Sequence, residues 1–338
     1  MAVSAIFPRM PLEAGGYESF YLRAVSAAEA VGVWIRYTVH KRPGQPPLGS
    51  VWCTVFDAAR GRPFMHKVTV SELGVPPGGW IEIGAGSGEA GSGGSGSSLG
   101  PGRAAGVCGP ASWELGFDAE APELRHLPRE WLYRMPLPRT KLTSPEPDAV
   151  FNGRLVLDGD RTLELDGWRG MVGHNWGSEH AERWIWLHGI DFEEAPDAWL
   201  DLVLGRVRIA GRMTPWIASG AISLDGRVRR LGGLFARGLE VREDSAGCSL
   251  TVPGAGGAHL HARVGVPDGS SAGWRYADPD GSEHDVVNCS VASLELRLSG
   301  HDGAARELTT AHGGAYELGM RERDHGVPIA PFPDGAAT

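Results

Sequence analysis

Val33-Trp34-Ile35-Arg36-Tyr37-Thr38-Val39-His40 alternates residue by residue. Successive side chains of an extended chain point to opposite faces, so Val33, Ile35, Tyr37 and Val39 share one face and Trp34, Arg36, Thr38 and His40 the other. A Pro/Gly-rich turn at residues 43–47 follows. Residues 51–56, rich in β-branched and aromatic side chains, then read as the returning strand. Working outward, residues 155–157 and 162–165 flank Asp158-Gly159. Residues 221–223 and 227–228 flank Asp225-Gly226 in the same way. Both arrangements are those of hairpins. Further strands are expected at residues 184–190, 199–209, 260–264, 286–298 and 316–320.

Convincing amphipathic helices do not occur. Many short strands with frequent turns make an all-β sandwich or barrel, because closure or double layering removes exposed strand edges. Prolines crowd residues 136–147, where missing backbone donors should stop a sheet. Two β-domains, 1–147 and 148–338, are therefore expected.

The 338 residues suffice for a core without staples; 42% are hydrophobic and 22% charged, which is ordinary globular composition. A formal charge of −9 repels polyanions. No basic cluster with interleaved aromatics opposes it, which argues against a nucleic-acid partner. No stretch approaches the length of a transmembrane segment, and the start lacks a basic region followed by an apolar one. Cys53, Cys108, Cys248 and Cys289 are widely spaced and form no CxxC pair. They are expected to be reduced thiols of a cytoplasmic protein, with Cys53 a small buried hydrophobe.

Residues 84–110 hold 11 of the 50 glycines and read as a flexible Gly/Ser loop. The approach, Ile81-Glu82-Ile83-Gly84-Ala85-Gly86-Ser87-Gly88, resembles the first motif of Rossmann-type methyltransferases. That motif needs a helix directly after its turn. Here Ser92-Gly93-Gly94-Ser95-Gly96 follows and cannot hold one. A SAM-dependent methyltransferase, which would need a parallel sheet, is thus kept only as a rival reading.

Chemistry concentrates between Gly173 and Asp201. The chain reads GHNWGSEHAERWIWLHGIDF from Gly173 and WLDLVLG from Trp199, bringing three histidines, four tryptophans and several acids together. Alternation puts Trp184, Trp186 and His188 on one strand face. His174, His180 and His188 have spacings that fit no standard ligand pattern, so no metal is expected.

This segment resembles the lipocalin-like proteins that include carotenoid 1,2-hydratases (hydroxyneurosporene synthases), AttH-type proteins and, more distantly, tocopherol cyclases. The likeness rests on His174-Asn175-Trp176-Gly177, Trp184-x-Trp186 and Trp199-x-Asp201. Weaker echoes lie at Glu18 to Leu22, at Thr140 to Pro145 with Asp148, and at Gly314 to Glu317. The resemblance implies two tandem lipocalin-like antiparallel β-barrel domains, an apolar cavity, and protonation of an isoprenoid alkene without a cofactor. It carries His174, Trp176 and Asp201 onto positions that matter in the hydratases. Trp199 stands where it implies a tyrosine.

Protonating an alkene makes a carbocation, which needs a strong acid beside electron-rich faces. A carboxylic acid walled by tryptophans has its pKa raised and acts as a general acid, and indole faces stabilise the cation. Asp201 is the first choice for that acid and Glu179 the next, with His174 holding a water or taking the second proton. Trp176, Asn175, Trp184, Trp186, His188 and Trp199 would line the ligand site, although any barrel also needs such tryptophans as core. The expected function is a cofactor-independent hydratase, cyclase or isomerase acting on an apolar isoprenoid or polyketide-like small molecule. The alternative is a carrier using the same cavity without catalysis.

Overall fold

The computed structural model describes residues 3–84, 96–158, 161–209, 211–233, 236–299 and 305–333. Strands dominate; the described helices are three single-turn 3-10 segments, at Phe7–Arg9, Glu130–Tyr133 and Ala255–Gly257. The first half supplies β1 (Gly16–Ser26), β2 (Val31–Lys41), β3 (Leu48–Asp57), β4 (Phe64–Val70), β5 (Leu73–Gly74) and β6 (Ile81–Ile83). It continues with β7 (Ser97–Gly100), β8 (Arg103–Cys108), β9 (Ala111–Ala119), β10 (Leu124–Arg125), β11 (Thr140–Leu157) and β12 (Arg161–Gly177). The second half supplies β13 (Arg183–Gly189), β14 (Trp199–Arg206), β15 (Arg208–Ile209), β16 (Arg212–Met213), β17 (Ile217–Leu224) and β18 (Arg227–Gly233). It ends with β19 (Glu240–Asp244), β20 (Gly247–Pro253), β21 (His259–Gly265), β22 (Ala272–Ala277), β23 (Glu283–Ser299) and β24 (Ala305–Met320).

The first sheet runs β4-β3-β2-β1-β12-β11-β9-β8-β7-β6-β5, with β10 beside β11. It curls until β8 meets β3, where the Cys108 thiol donates to the Val51 carbonyl at 3.2 Å. The second runs β18-β17-β14-β13-β24-β23-β21-β20-β19, with β22 on β23. Leu231 of β18 bridges to Gly254 just past β20, bringing its ends together. Every named strand pairing is antiparallel. The parallel sheet that a methyltransferase needs is not what these strands form.

The Asp225-Gly226 hairpin has φ of 54° and 69° at its two central residues, the left-handed geometry of a type I′ turn. The expected break near residue 147 meets a continuous strand instead. β11 runs from Thr140 to Leu157 through Pro145 and Pro147, and its register against β12 shifts between Thr143 and Glu146 and between Glu146 and Ala149. The bulges absorb the missing donors. The sheets divide between Gly177 and Arg183, since β12 pairs with β1 and β13 with β24.

The Gly/Ser loop expected over residues 84–110 is also corrected in part. Residues 97–108 form β7 and β8 within the first sheet. They bury Leu99, Ala104 and Cys108. Ser97 Oγ both accepts from and donates to the Val107 backbone at 2.9 Å. Residues 85–95 lie outside the described residues.

What positions the site is the double burial of β1 to β3. β9 alternates between buried and exposed residues, as a half-solvated strand does. β1 and β2 are buried along almost their whole length on both faces. Phe20, Leu22, Val33, Ile35, Tyr37 and Val39 fill the first barrel. The opposite faces lie against the second sheet. There the Arg36 guanidinium sits 4.0 Å from the Tyr276 ring centroid, Lys67 Nζ lies 4.0 Å from that of Trp52, and Trp52 meets Trp274 edge-on at 4.9 Å.

Candidate functional site

Asp201 lies on β14 directly opposite His188 of β13, and Trp186 two residues back on β13 shares their face. Leu187, Ile185, Leu202 and Leu204 point the other way into the apolar cluster of the second sheet. The alternation that buries those leucines therefore turns Asp201 toward the first sheet. Fully buried, its Oδ1 accepts from Trp186 Nε1 at 3.1 Å. Its Oδ2 accepts from Ser144 Oγ of β11. His126, just past β10, places Nε2 3.2 Å from the same oxygen. His126 Nδ1 lies 3.2 Å from the Ser219 carbonyl, which can only accept, so Nδ1 carries a hydrogen.

This cradle changes the acid expected at Asp201. Burial alone would raise its pKa, but the adjoining His126, the His188 ring and the Ser144 hydroxyl together outweigh burial and hold the carboxyl below the usual range. The tryptophan wall alone does not set the acidity. The carboxyl that burial does push up is Glu146, to about 7, with Asp118 adding to the effect.

Tyr21, on the interface face of β1, meets Trp186 edge-on at 5.5 Å. Burial, together with the charges of Asp201 and Glu317, keeps its phenol protonated well above the usual pKa. Gly173 stands opposite Tyr21, where a Cβ would come within 2.1 Å of the phenol ring. Trp199 is buried in the apolar cluster of the second sheet.

His188 proves to be a clamp. Its Nε2 lies 3.0 Å from the Pro147 carbonyl and therefore carries the hydrogen. Its Nδ1 accepts from Arg23 NH1 at 2.8 Å. Burial and the Arg23 charge lower its pKa to about 3, leaving a neutral ring. Arg23 itself is fully buried, and its NH2 donates to the carbonyls of Ser290 at 3.0 Å and Gly313 at 2.9 Å.

His174 is placed on the other side of the β1–β12 sheet from Asp201. It pairs across the strands with Phe20 and stacks on that ring at 3.9 Å, inside the first barrel. Trp176 stacks on its other side at 4.5 Å. His174 Nε2 lies 2.7 Å from Glu18 Oε1. Glu18 also accepts the backbone N–H groups of Ile6 and Phe7, tying down the N-terminal segment. Alternation turns the neighbouring Asn175 back to the interface, where its Oδ1 is buried without a hydrogen-bond partner. Glu179 forms an ion pair with Arg139 at the surface, which does not suit a buried acid.

Trp184 donates from Nε1 to Glu317 Oε1 at 2.8 Å, and Glu317 Oε2 accepts from Tyr276 at 3.3 Å and Asn288 at 3.1 Å. The sequence reading missed His126, Tyr21, Arg23 and Glu317 as site residues. For Arg23 and Glu317 the usable signal was a charged residue at a strand position with apolar or aromatic neighbours on both sides; His126, beyond β10 and next to Arg125, carried none.

The two-sheet antiparallel fold is lipocalin-like, the fold that the resemblance implies. Among solved structures, the chain is similar to CghA with Sch210972 at a TM-score of 0.59 and 12% identity, covering 90% of this chain and 88% of that one. A putative AttH from Nitrosomonas europaea matches at a TM-score of 0.50 and 13% identity, over 90% of this chain and 92% of that one. Kievitone hydratase from Nectria haematococca gives 0.50 and 12%, over 94% and 92%. In sequence, the uncharacterized protein Rv0493c of Mycobacterium tuberculosis (strain H37Rv) is 27% identical over 94% of this chain and 90% of its own length. No family model matches. No helix among the described residues is long and apolar enough to cross a membrane.

Proposed function

We propose that this chain is an acid/base enzyme of the hydratase, cyclase or isomerase type, acting on an apolar isoprenoid or polyketide-like molecule held between the two sheets. The observation that carries the reading is the buried Asp201–His126 pair beside Trp186. His126 Nε2 stands 3.2 Å from Asp201 Oδ2, close enough for a proton to pass between them. Such a pair protonates a substrate carbon from one partner and recovers a proton through the other without redox chemistry. Trp186 supplies an electron-rich face for developing positive charge. Tyr21 supplies a neutral O–H to a carbonyl or an incoming water. Kievitone hydratase and CghA share the fold, which agrees with this chemistry.

The test is incubation with a panel of isoprenoid alkenes and polyketide-type polyenes in D2O, read by mass spectrometry. Deuterium should enter at carbon with the wild type and fail to enter with Asp201→Asn, while ligand binding persists. Binding without incorporation by either protein would refute the enzyme and leave the carrier. One observation favours that second reading: both Asp201 oxygens already accept hydrogen bonds from the protein, as a purely structural residue's would.

A further inference from the structure

His180 lies in the connector that leaves the first sheet after Gly177 and enters the second at Arg183. It stacks on Tyr17 of β1 at 4.0 Å and on Trp184 at 5.5 Å. Its Nδ1 lies 2.7 Å from Asp278 Oδ1, and its backbone N–H donates to the same oxygen at 2.8 Å. Asp278 follows β22 and is buried. The other ring nitrogen of His180, Nε2, is buried without a hydrogen-bond partner.

His284 of β23 completes the group. It has no exposure to solvent, and neither of its ring nitrogens has a hydrogen-bond partner; Asp278 Oδ2 stands 3.7 Å from its Nδ1. A buried polar atom left unsatisfied is costly, and this one corner concentrates three such nitrogens. One ligand atom from each of His180, Asp278 and His284 lies within 4.8 Å of the others. Tetrahedral ligands at ordinary zinc–nitrogen and zinc–oxygen bond lengths stand roughly 3.3 Å apart. Small side-chain rotations therefore close the set.

We propose that His180, Asp278 and His284 form a binding site for a divalent transition-metal cation of the zinc class. Two imidazoles and a carboxylate are the donors such ions select. The expectation that no metal binds weighed only the histidines of one segment, and His180 finds its partners about a hundred residues further along. The set shares no residue with the Asp201 cradle and does not depend on the proposed reaction. A cation there would fasten the connector to β22 and β23.

The experiment titrates the full chain, stripped with a chelator, with Co(II) and then Zn(II). One equivalent of Co(II) should give a ligand-field absorption spectrum that Zn(II) displaces, and Zn(II) should raise the melting temperature. His284→Ala and, should that variant not fold, the partly exposed His180→Ala should weaken Zn(II) binding by about 100-fold or more. Absence of stoichiometric binding by the folded wild-type chain, or unchanged affinity in either folded variant, would overturn the proposal.

Discussion

Replacing Arg23 with methionine removes three hydrogen bonds that cross from the first sheet to the second: 2.8 Å to His188, 3.0 Å to Ser290 and 2.9 Å to Gly313. Bonds from a charged donor are worth about 1.5–3 kcal/mol each, so their gross loss is about 4.5–9 kcal/mol. Against this stands the cost of burying the guanidinium. Burial lowers its pKa from 12.5 to about 10; at 1.36 kcal/mol per unit that is about 3 kcal/mol returned when the charge is removed. Methionine keeps much of the aliphatic stem packed. The net expectation is a loss of about 1.5–6 kcal/mol, on the order of what breaking a buried polar pair costs. Urea unfolding monitored by tryptophan fluorescence measures it. In a double-mutant cycle with His188→Gln, a coupling of about 1 kcal/mol or more should appear, since the residues touch. Arg23→Met at wild-type stability, with no coupling, would show that the bonds across the seam contribute nothing net.

Gly319→Ala places a Cβ 2.1 Å from the Trp184 ring. It should destabilise the fold by about 1–3 kcal/mol and alter indole fluorescence as the Trp184–Glu317 bond breaks; an unchanged spectrum and melting temperature would contradict the packing described. The pH dependence follows from His188, whose folded pKa of about 3 lies below its unfolded value of 6.5. The unfolded state then binds the extra proton, so the stability tied to the neutral ring is complete above pH 6.5 and is lost as pH falls toward 3. Each unit in that window removes about 1.4 kcal/mol, an effect opposed between pH 4.5 and 7 by Glu146, whose pKa is raised from 4.5 to about 7. Comparing wild type with His188→Gln isolates the histidine. The variant's acid limb should be shallower, and parallel curves would refute the assignment.

The all-β class was legible because alternation is local: residues 33–40 and the Asp225-Gly226 hairpin declare their geometry without reference to anything distant, while Gly159 of the other Asp-Gly pair lies outside the described residues. The inter-sheet seam was not. Trp34, Arg36, Thr38 and His40 look like a solvent face, and only the second sheet makes them an interior one. The prolines of β11 read locally as a break, yet a bulge tolerates them. Within the site, Trp186 beside Asp201 follows from two paired strands. His126 is 75 residues from Asp201, and no spacing rule connects them. The same distance hid the acidity. Four tryptophans suggested an apolar wall and a raised pKa, whereas a histidine and a serine from the other sheet set its direction.

Ser144 belongs to the first sheet and the carboxylate of Asp201 to the second, so the contact between the sheets enters its acidity. His126 reaches the same oxygen from just past β10, yet Ser219 and Arg230 of the second sheet hold its ring and its carbonyl. A replacement that loosened the sheets would therefore take the serine from the carboxylate before the histidine.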